Sequence, residues 1–208
     1  MRVRIALVVA ILAVAGTGSW ARLHEGPARG PLVAAAATPS AGPFAAPSAA
    51  AAPTSTPVPA GPITPARLLI PKLGVDAPVV TKGVDAHNVM EPPDRPTEVA
   101  WYPFTAKPGA GTNAVFSGHL DYASVGPAVF WHLGELKPGD AISVRDAAGG
   151  QLTFAVSSIN VYPLSSAPVQ DIIGPTASSA VTLITCAGSF DRKSGLYDKR
   201  LVVRAEQV

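Results

Sequence analysis

A lone cysteine is the residue of this sequence best suited to nucleophilic chemistry. Cys186 closes the apolar run Val181–Cys186, and the small residues Ala187–Ser189 follow at once. A side chain at the end of a strand, just before a loop of small residues, can face a cleft. Two interpretations stay open for Cys186. It is either a small buried hydrophobe or a reactive thiol, because the chain holds no second cysteine with which it could pair.

A cysteine nucleophile needs a base, and the sequence offers four histidines. His119 has the most suitable position, because it follows a strand pattern and Gly118, which permits a tight turn. We expect the strand ends that carry His119 and Cys186 to meet at one rim of the fold. Of the other three, we expect His24 to lie near the N-terminal segment, His87 to lie in solvent and His132 to be packed.

An arginine is the third candidate, since its planar fork of charged donors suits a developing oxyanion. If the strand ending at Cys186 pairs antiparallel with the last strand, Arg200 returns level with Cys186. Arg204 then lies about 13 Å farther along, at about 3.3 Å per residue. Arg192 falls in the connecting loop and stays an alternative. The other interpretation of Arg200 is a surface salt bridge with a neighbouring carboxylate.

Short strands separated by turns must position these residues. The run Ala147–Gly150 predicts a hairpin turn, and short helical turns are expected near Ala128–Leu133 and Val169–Ile173. Many short strands in about 143 residues, from Ala66 to Val208, predict a mostly-β sandwich or closed barrel with one substantial core. Strands are predicted at Arg67–Ile70, Ala77–Val80, Asn113–Ser117, Ala141–Asp146, Leu152–Val161, Ala180–Thr185 and Leu201–Ala205.

Two segments precede that domain. Residues 1–24 start with a basic head and continue as the uncharged run Ile5–Ala21, which predicts an export signal or an N-terminal membrane helix. As a helix the run reaches about 25 Å, slightly short of a full span, and its cleavage stays open. Residues 25–65 are rich in proline and alanine and predict a disordered linker. Whether residues 1–24 are a cleaved export signal or a retained membrane helix, residues 66–208 are expected outside the cytoplasm, on the cell-wall side of the membrane.

Composition excludes several classes of function. The net charge is only +2 and the 16 basic residues are scattered, so we expect no nucleic-acid partner. A single cysteine excludes an intramolecular disulfide and a cysteine-rich metal site. With 14% charged residues, the chain is unlike a coiled coil or a highly charged disordered tail.

The motifs around these residues resemble those of the sortases. Leu183–Cys186, with an arginine fourteen positions later, resembles their active-site and return strands, and Ser117–Asp121 resembles their histidine motif. The resemblance covers Ala66 to Val208 and is most specific for the class E/F sortase domain of actinobacteria. Further runs that resemble this class are Ile70–Val75, Ala77–Val80, Gly83–Asp85, Trp101–Tyr102 and Pro138–Asp140.

The resemblance implies a closed eight-stranded β-barrel with short helices and a cysteine transpeptidase activity. Its substrates would be surface proteins with an LPxTG- or LAxTG-like sorting signal, which is cut between Thr and Gly and joined to a cell-wall precursor amine through a thioester. Cys186 would be the nucleophile, His119 the acid/base and Arg200 the oxyanion and substrate-orienting group. The sequence has no acidic cluster like the calcium site of some class A members, so we expect neither metal nor cofactor.

Other residues have two interpretations each. The resemblance implies that Thr185 lines the substrate groove, and Asp121 either orients His119 or caps a turn. Tyr122 is expected beside the substrate. Aromatic side chains form the walls of an apolar groove or pack in the core: Trp101, Tyr102, Tyr122 and Trp131.

Two other functions remain open. A non-enzymatic, exported cell-wall-binding module would use Cys186 only for packing. A different wall-modifying cysteine enzyme is the second alternative. An L,D-transpeptidase would place histidine, glycine and cysteine within one short motif, whereas 67 positions separate His119 from Cys186 here, and the Cys-Gly-Ser-Cys-Trp type signature of a papain-like protease is absent.

Overall fold

The computed structural model of the chain describes residues 61–123 and 125–208. The predicted membrane segment 1–24 and most of the predicted linker 25–65 lie outside the described residues. Ile63, near the end of that linker, is 4% exposed and packs in the core, and its N–H donates to the carbonyl of Pro108 at 3.0 Å. The folded domain therefore includes residues that precede Ala66. No helix in the described ranges is both long and apolar enough to cross a membrane.

Eight strands of the described residues form a closed β-barrel, which confirms the mostly-β prediction. They are β1 (Arg67–Ile70), β2 (Val75–Thr81), β3 (Val99–Trp101), β4 (Asn113–Gly118), β7 (Ala141–Arg145), β8 (Gln151–Pro163), β9 (Ala180–Asp191) and β10 (Leu196–Gln207). Around the barrel the order is β1-β2-β3-β4-β9-β10-β8-β7, with parallel pairing of β2 with β3 and of β4 with β9. A small two-stranded sheet pairs β5 (Asp121–Tyr122) with β6 (Gly126–Pro127).

The sheet around β4 and β9 is covered on both faces, which explains why these strands read as continuous apolar runs. Every residue of β4 is buried, as are the first seven of β9. Inward-pointing residues, such as Phe116 and Leu183, join the barrel core. Outward-pointing residues, such as Val115 and Ile184, join a second apolar cluster. Alternation along a strand thus assigns each residue to one of two apolar environments.

The end of β9 differs from the prediction. A strand ending at Thr185 was expected, but β9 continues to Asp191, so Cys186 lies in mid-strand. The small residues after Cys186 form a β-bulge instead of a loop, because Gly188 has a φ of +84° and the register with β10 shifts there. The hairpin of β9 and β10 therefore extends beyond Cys186 as a paired arm.

Helical structure is scarce, as the sequence predicts. The helical turn predicted at Val169–Ile173 is α1, with these same bounds. Near the one predicted at Ala128–Leu133, the structure has a 3-10 turn at Leu133–Glu135. Further 3-10 turns lie at Pro71–Leu73 and Leu164–Ser166. The 3-10 turn at Leu164–Ser166 and α1 both belong to the long connection from β8 to β9.

Candidate active site

Strand register brings the three candidate residues onto one line across the barrel wall. Cys186 on β9 and Arg200 on β10 are direct antiparallel partners. On the other side of β9, the parallel register pairs Ser117 of β4 with Ile184. His119 and Cys186 each lie two residues beyond that pair, so His119 reaches the level of Cys186. Neighbouring strands are about 4.8 Å apart, so the backbone of Cys186 lies between those of His119 and Arg200.

The side chains of Cys186 and Arg200 share one face of the sheet. Side chains two residues apart on a strand point the same way. The Cys186 side chain therefore points to the same face as that of Ile184, and the Arg200 side chain to the same face as that of Val202. Both apolar residues belong to the second cluster, outside the barrel core. The site therefore lies on the outer face of the barrel wall, whereas the sequence predicted the barrel's rim.

Burial sets the electrostatics of Cys186. The residue is 3% exposed, and this desolvation raises the pKa of its thiol because it disfavours the charged thiolate. The Arg200 guanidinium acts in the opposite direction and stabilises the thiolate. Asp121 adds a smaller effect that raises the thiol pKa further. Burial and the Arg200 charge thus act in opposite directions on the ionisation of Cys186.

Arg200 is fully buried and carries free donors. Its Nη1 donates to the carbonyls of Tyr197 and Lys199, at 3.0 and 2.7 Å, which anchors the head group to its own strand. Its Nε and Nη2 are buried without a hydrogen-bond partner in the protein. The alternative of a surface salt bridge is wrong, because Arg200 is 0% exposed and contacts carbonyl groups. Arg192, the other candidate, is exposed in the turn of the β9–β10 hairpin, six residues beyond Cys186.

His119 is the third buried group, at 3% exposure. Its Nε2 lies 2.7 Å from the carbonyl oxygen of Pro93, while its Nδ1 is buried with no partner in the protein. Burial lowers the pKa of His119, and the Pro93 carbonyl and the carboxylates of Asp121 and Asp94 oppose that shift. Together with Arg200, His119 accounts for all the buried side-chain nitrogen and oxygen atoms without a partner in the described chain.

Thr185 has a different position from the one expected. It points toward the opposite face of β9 from Cys186, so it does not line a groove beside the thiol. Its Oγ1 donates to the carbonyl of Gly118 at 2.8 Å, which continues the contact between β9 and β4 up to His119. Thr185 therefore holds the cysteine strand and the histidine turn in register.

Asp121 and Tyr122 follow His119 and lie at the site's edge. The Asp121 carboxylate accepts a hydrogen bond from the Tyr197 hydroxyl at 2.6 Å, which joins this turn to the β9–β10 arm. It makes this contact in place of the hydrogen bond to His119 that the sequence suggested. The Tyr122 ring packs edge-on against the His119 ring, with centroids 5.1 Å apart.

The outer apolar cluster forms the floor beside the three residues. It includes Met90, Ala100, Tyr102, Val115, Ile172, Ile173, Ile184 and Val202. Of the aromatic residues expected in a groove, Tyr102 is fully buried within this cluster. Trp101 packs instead in the barrel core, and Trp131 is 44% exposed. His132, expected to be packed, is exposed and pairs with Glu135 at 2.6 Å.

A polar network that the sequence did not reveal holds α1 against this floor. Arg204 donates to the carbonyls of Asp171 and Ile172, at 2.7 and 2.9 Å. The Asn113 amide donates to the carbonyl of Ile172 at 3.0 Å and accepts from the Thr182 hydroxyl at 2.8 Å. Since the last carbonyls of a helix have no partner within the helix, Arg204 and Asn113 cap its C-terminus.

Removing this cap should loosen α1. In Arg204→Ala, the amide hydrogens of Ile172 and Gly174 should exchange at least about 10-fold faster than in the parent protein. The reason is that charged hydrogen bonds contribute about 1.5–3 kcal/mol each. Hydrogen-exchange mass spectrometry measures this. Arg145→Ala is the matched control, because Arg145 bonds to Gln151 in the β7–β8 hairpin. Equal exchange in the two variants would contradict the capping role.

The arrangement has the parts that acyl transfer requires. A thiol supplies the nucleophile, an adjacent guanidinium has donors free for an oxyanion, and an imidazole has one nitrogen free for a proton. Unpaired buried nitrogens cost stability, and those of His119 and Arg200 are available to an incoming group that could complete their hydrogen bonds.

Comparison with known proteins gives a consistent result. A family model described as the sortase domain matches residues 68–208. The chain resembles a lid mutant of sortase A from Corynebacterium diphtheriae, with 26% identity, 72% of each chain covered and a TM-score of 0.54. It also resembles sortase C-1 from Actinomyces oris, with 29% identity over 68% of this chain and 72% of that one, and a TM-score of 0.51. No curated protein matches the chain by sequence.

Proposed function

The chain belongs to the sortase family of cysteine transpeptidases, and we propose that it cuts an LPxTG- or LAxTG-like sorting signal between Thr and Gly and transfers the acyl product to a cell-wall amine. The observation that carries this proposal is the line of His119, Cys186 and Arg200 across three adjacent strands. Nδ1 of His119 and Nε and Nη2 of Arg200 are buried without a partner in the described residues, and the Arg200 guanidinium acts on the Cys186 thiol.

Acylation uses all three residues. The thiolate of Cys186 attacks the Thr carbonyl carbon, and the C=O electron pair moves to the oxygen. Nε and Nη2 of Arg200 are the free donors that stabilise this oxyanion. The electron pair of the oxyanion then re-forms the C=O bond as the C–N bond breaks. The C–N pair goes to the leaving glycine nitrogen, which takes a proton from the His119 imidazolium. The product is a thioester on Cys186 with a neutral His119.

Deacylation reverses these roles. An amine of a cell-wall precursor attacks the thioester carbon, and His119 accepts the proton that the attacking nitrogen loses. The C–S bond then breaks, and its electron pair returns to sulfur. The thiolate and imidazolium are regenerated for the next cycle. An apolar floor that excludes water favours the amine over hydrolysis.

The proposal includes a location. The uncharged run Ile5–Ala21, behind Arg2 and Arg4, would hold the chain in the cell membrane with its catalytic domain on the cell-wall side. The predicted linker that precedes the described residues would give the domain its reach within the wall. The sequence motifs favour class E/F, in which the second signal residue is Pro or Ala.

Peptide cleavage tests the activity and the class together. The purified full-length chain should cleave LPxTG- or LAxTG-like peptides and join the product to an amine such as oligoglycine or an amino sugar. Mass spectrometry of a peptide library measures both. A wall-binding module would cleave none of the peptides, and iodoacetamide would leave its wall binding intact.

The pH dependence follows from the two burial effects. Ordinary pKa values near 8.5 for cysteine and 6.5 for histidine give about 1% of thiolate–imidazolium pairs near neutral pH. Here the cysteine pKa is raised and the histidine pKa is lowered, so the free protein holds fewer such pairs. That fraction is constant between the two pKa values and falls on both sides.

We therefore expect a slow enzyme with a bell-shaped profile of kcat/KM. The rate should decrease on the acid side only below about pH 6.5, because the pKa of His119 is lowered. On the alkaline side it should decrease only above about pH 8.5, because the pKa of Cys186 is raised. Steady-state cleavage between about pH 5 and 10 measures the profile. A limb of the profile that falls between about pH 6.5 and 8.5 would contradict this pair as the acid/base machinery.

A further inference from the structure

A proline-rich strap, residues Glu91–Pro96, contacts the ring of His119 through Pro93. The buried Pro93 offers its carbonyl oxygen to Nε2 at 2.7 Å. The strap is itself held at several points. These contacts are Tyr102 Oη to the carbonyl of Glu91 (2.7 Å), Tyr122 Oη to the carbonyl of Asp94 (3.1 Å), Lys82 Nζ to Asp94 Oδ1 (2.7 Å), and Val129 N–H to the carbonyl of Pro96 (2.9 Å).

The chemistry of this contact allows only one direction of donation. A carbonyl oxygen accepts hydrogen bonds and never donates, so Nε2 of His119 must carry the hydrogen. Pro92 and Pro93 have no backbone N–H, and the strap therefore has no donor here that would suit a bare Nε2. Nε2 keeps its hydrogen in the neutral ring and in the imidazolium alike, which leaves Nδ1 as the nitrogen that gains and loses a proton.

We propose that Nδ1 of His119 carries the catalytic proton, and that the strap is the positioning element that makes this assignment. The inference rests on the proposed function, since it concerns the same proton transfer. In acylation, Nδ1–H gives its proton to the leaving nitrogen while that nitrogen takes the C–N electron pair. In deacylation, the bare Nδ1 accepts a proton from the attacking amine. Nε2–H stays bound to Pro93 throughout.

Packing around the ring supports the assignment. Tyr122 packs against the His119 ring at an interplanar angle of 81°. A 180° flip of the ring would put Cε1 in the place of Nε2 and lose the hydrogen bond to Pro93. Nδ1 is buried with no partner in the protein, as expected for the atom that meets the reacting group. The charged groups that act on the ring are Asp121, from the following turn, and Asp94, from the strap. Lys82 pairs with Asp94 and reduces its effect.

Nitrogen NMR of the full-length chain, labelled with ¹⁵N-histidine, tests the assignment directly. A His119→Gln variant identifies the His119 signals among the four histidines. We expect Nε2 to show the shift of a protonated nitrogen on both sides of the titration, while Nδ1 alone changes from bare to protonated. A neutral ring with hydrogen on Nδ1 would overturn the proposal.

A double variant tests the role of the strap. Lys82→Met with Tyr122→Phe removes both anchors of Asp94 but keeps the aromatic ring against His119. The second tautomer should then appear in the NMR spectrum, and kcat should fall by about 10-fold with little change in KM. Lys72→Met is the matched control, because Lys72 pairs with Asp140 in a similar ion pair elsewhere. The control should change neither readout, and an unaltered double variant would exclude a positioning role for the strap.

The two proposals fail in different ways. If Nε2 is protonated but no sorting peptide is cleaved, the proposed function is wrong while the tautomer stands. If peptides are cleaved and the neutral ring carries its hydrogen on Nδ1, the function stands and the proton carrier is wrong.

Discussion

Replacing Cys186 with alanine is expected to abolish peptide cleavage, with a loss of at least about 1,000-fold in kcat. The thioester needs a sulfur at this position, and the described residues offer no other thiol. The substitution removes one small buried atom from a strand that pairs on both sides, so the barrel should remain folded. The loss should therefore lie in chemistry and not in structure.

Two measurements separate these outcomes. Peptide cleavage and circular dichroism are compared for Cys186→Ala, the parent protein and Ser143→Ala, a control that truncates a small buried side chain on β7. Mass spectrometry of the parent protein with peptide should show an acylated chain that the Cys186→Ala variant lacks. Cleavage by the alanine variant at more than about one hundredth of the parent rate would refute a covalent role for the thiol.

Replacing Arg200 is expected to give the second largest loss. Arg200→Ala should reduce kcat by about 100-fold or more, because removal of one oxyanion donor typically costs that much. Arg200→Lys keeps the positive charge but loses the fork of donors, so it should recover only part of the rate. The thiol pKa should rise further in Arg200→Ala, since the guanidinium is the group that opposes the effect of burial.

Arg192→Ala is the matched control for this prediction. Arg192 belongs to the same hairpin but is exposed in its turn, so its loss should change kcat by less than about 2-fold. Thermal unfolding is measured in parallel, because truncation of a fully buried arginine also removes contacts with its own strand. A larger effect for Arg192→Ala than for Arg200→Ala would reassign the oxyanion site.

The local signals in the sequence were sufficient for much of the fold. The strand predicted at Arg67–Ile70 is β1, and the helical turn expected near Val169–Ile173 is α1. The turn at Ala147–Gly150 was also predicted, and Gly149 there has a φ of +92°. These elements depend on neighbouring residues, which the sequence displays directly. The three-residue strand β3 was missed because its pairing partners, β2 and β4, are distant in sequence and its own run is short.

The candidate active site was also predicted from the sequence only in part. Residue type and strand patterning singled out Cys186 and His119, and an assumed hairpin register placed Arg200 beside the cysteine, as observed. The sequence could not show that Pro93 accepts from His119, because that contact joins a loop to a strand end 26 residues away.

The sequence by itself determined which residue types are available for chemistry and where strands and turns form, because those depend on side-chain chemistry and on local backbone preferences. Only the tertiary structure decided that the β9 strand continues past Cys186 and that Arg204 caps α1. It also decided which nitrogen of His119 is free. These outcomes depend on the parallel contact of β4 with β9 and on loops folded over it, and such contacts between distant segments leave no periodic signal in the chain.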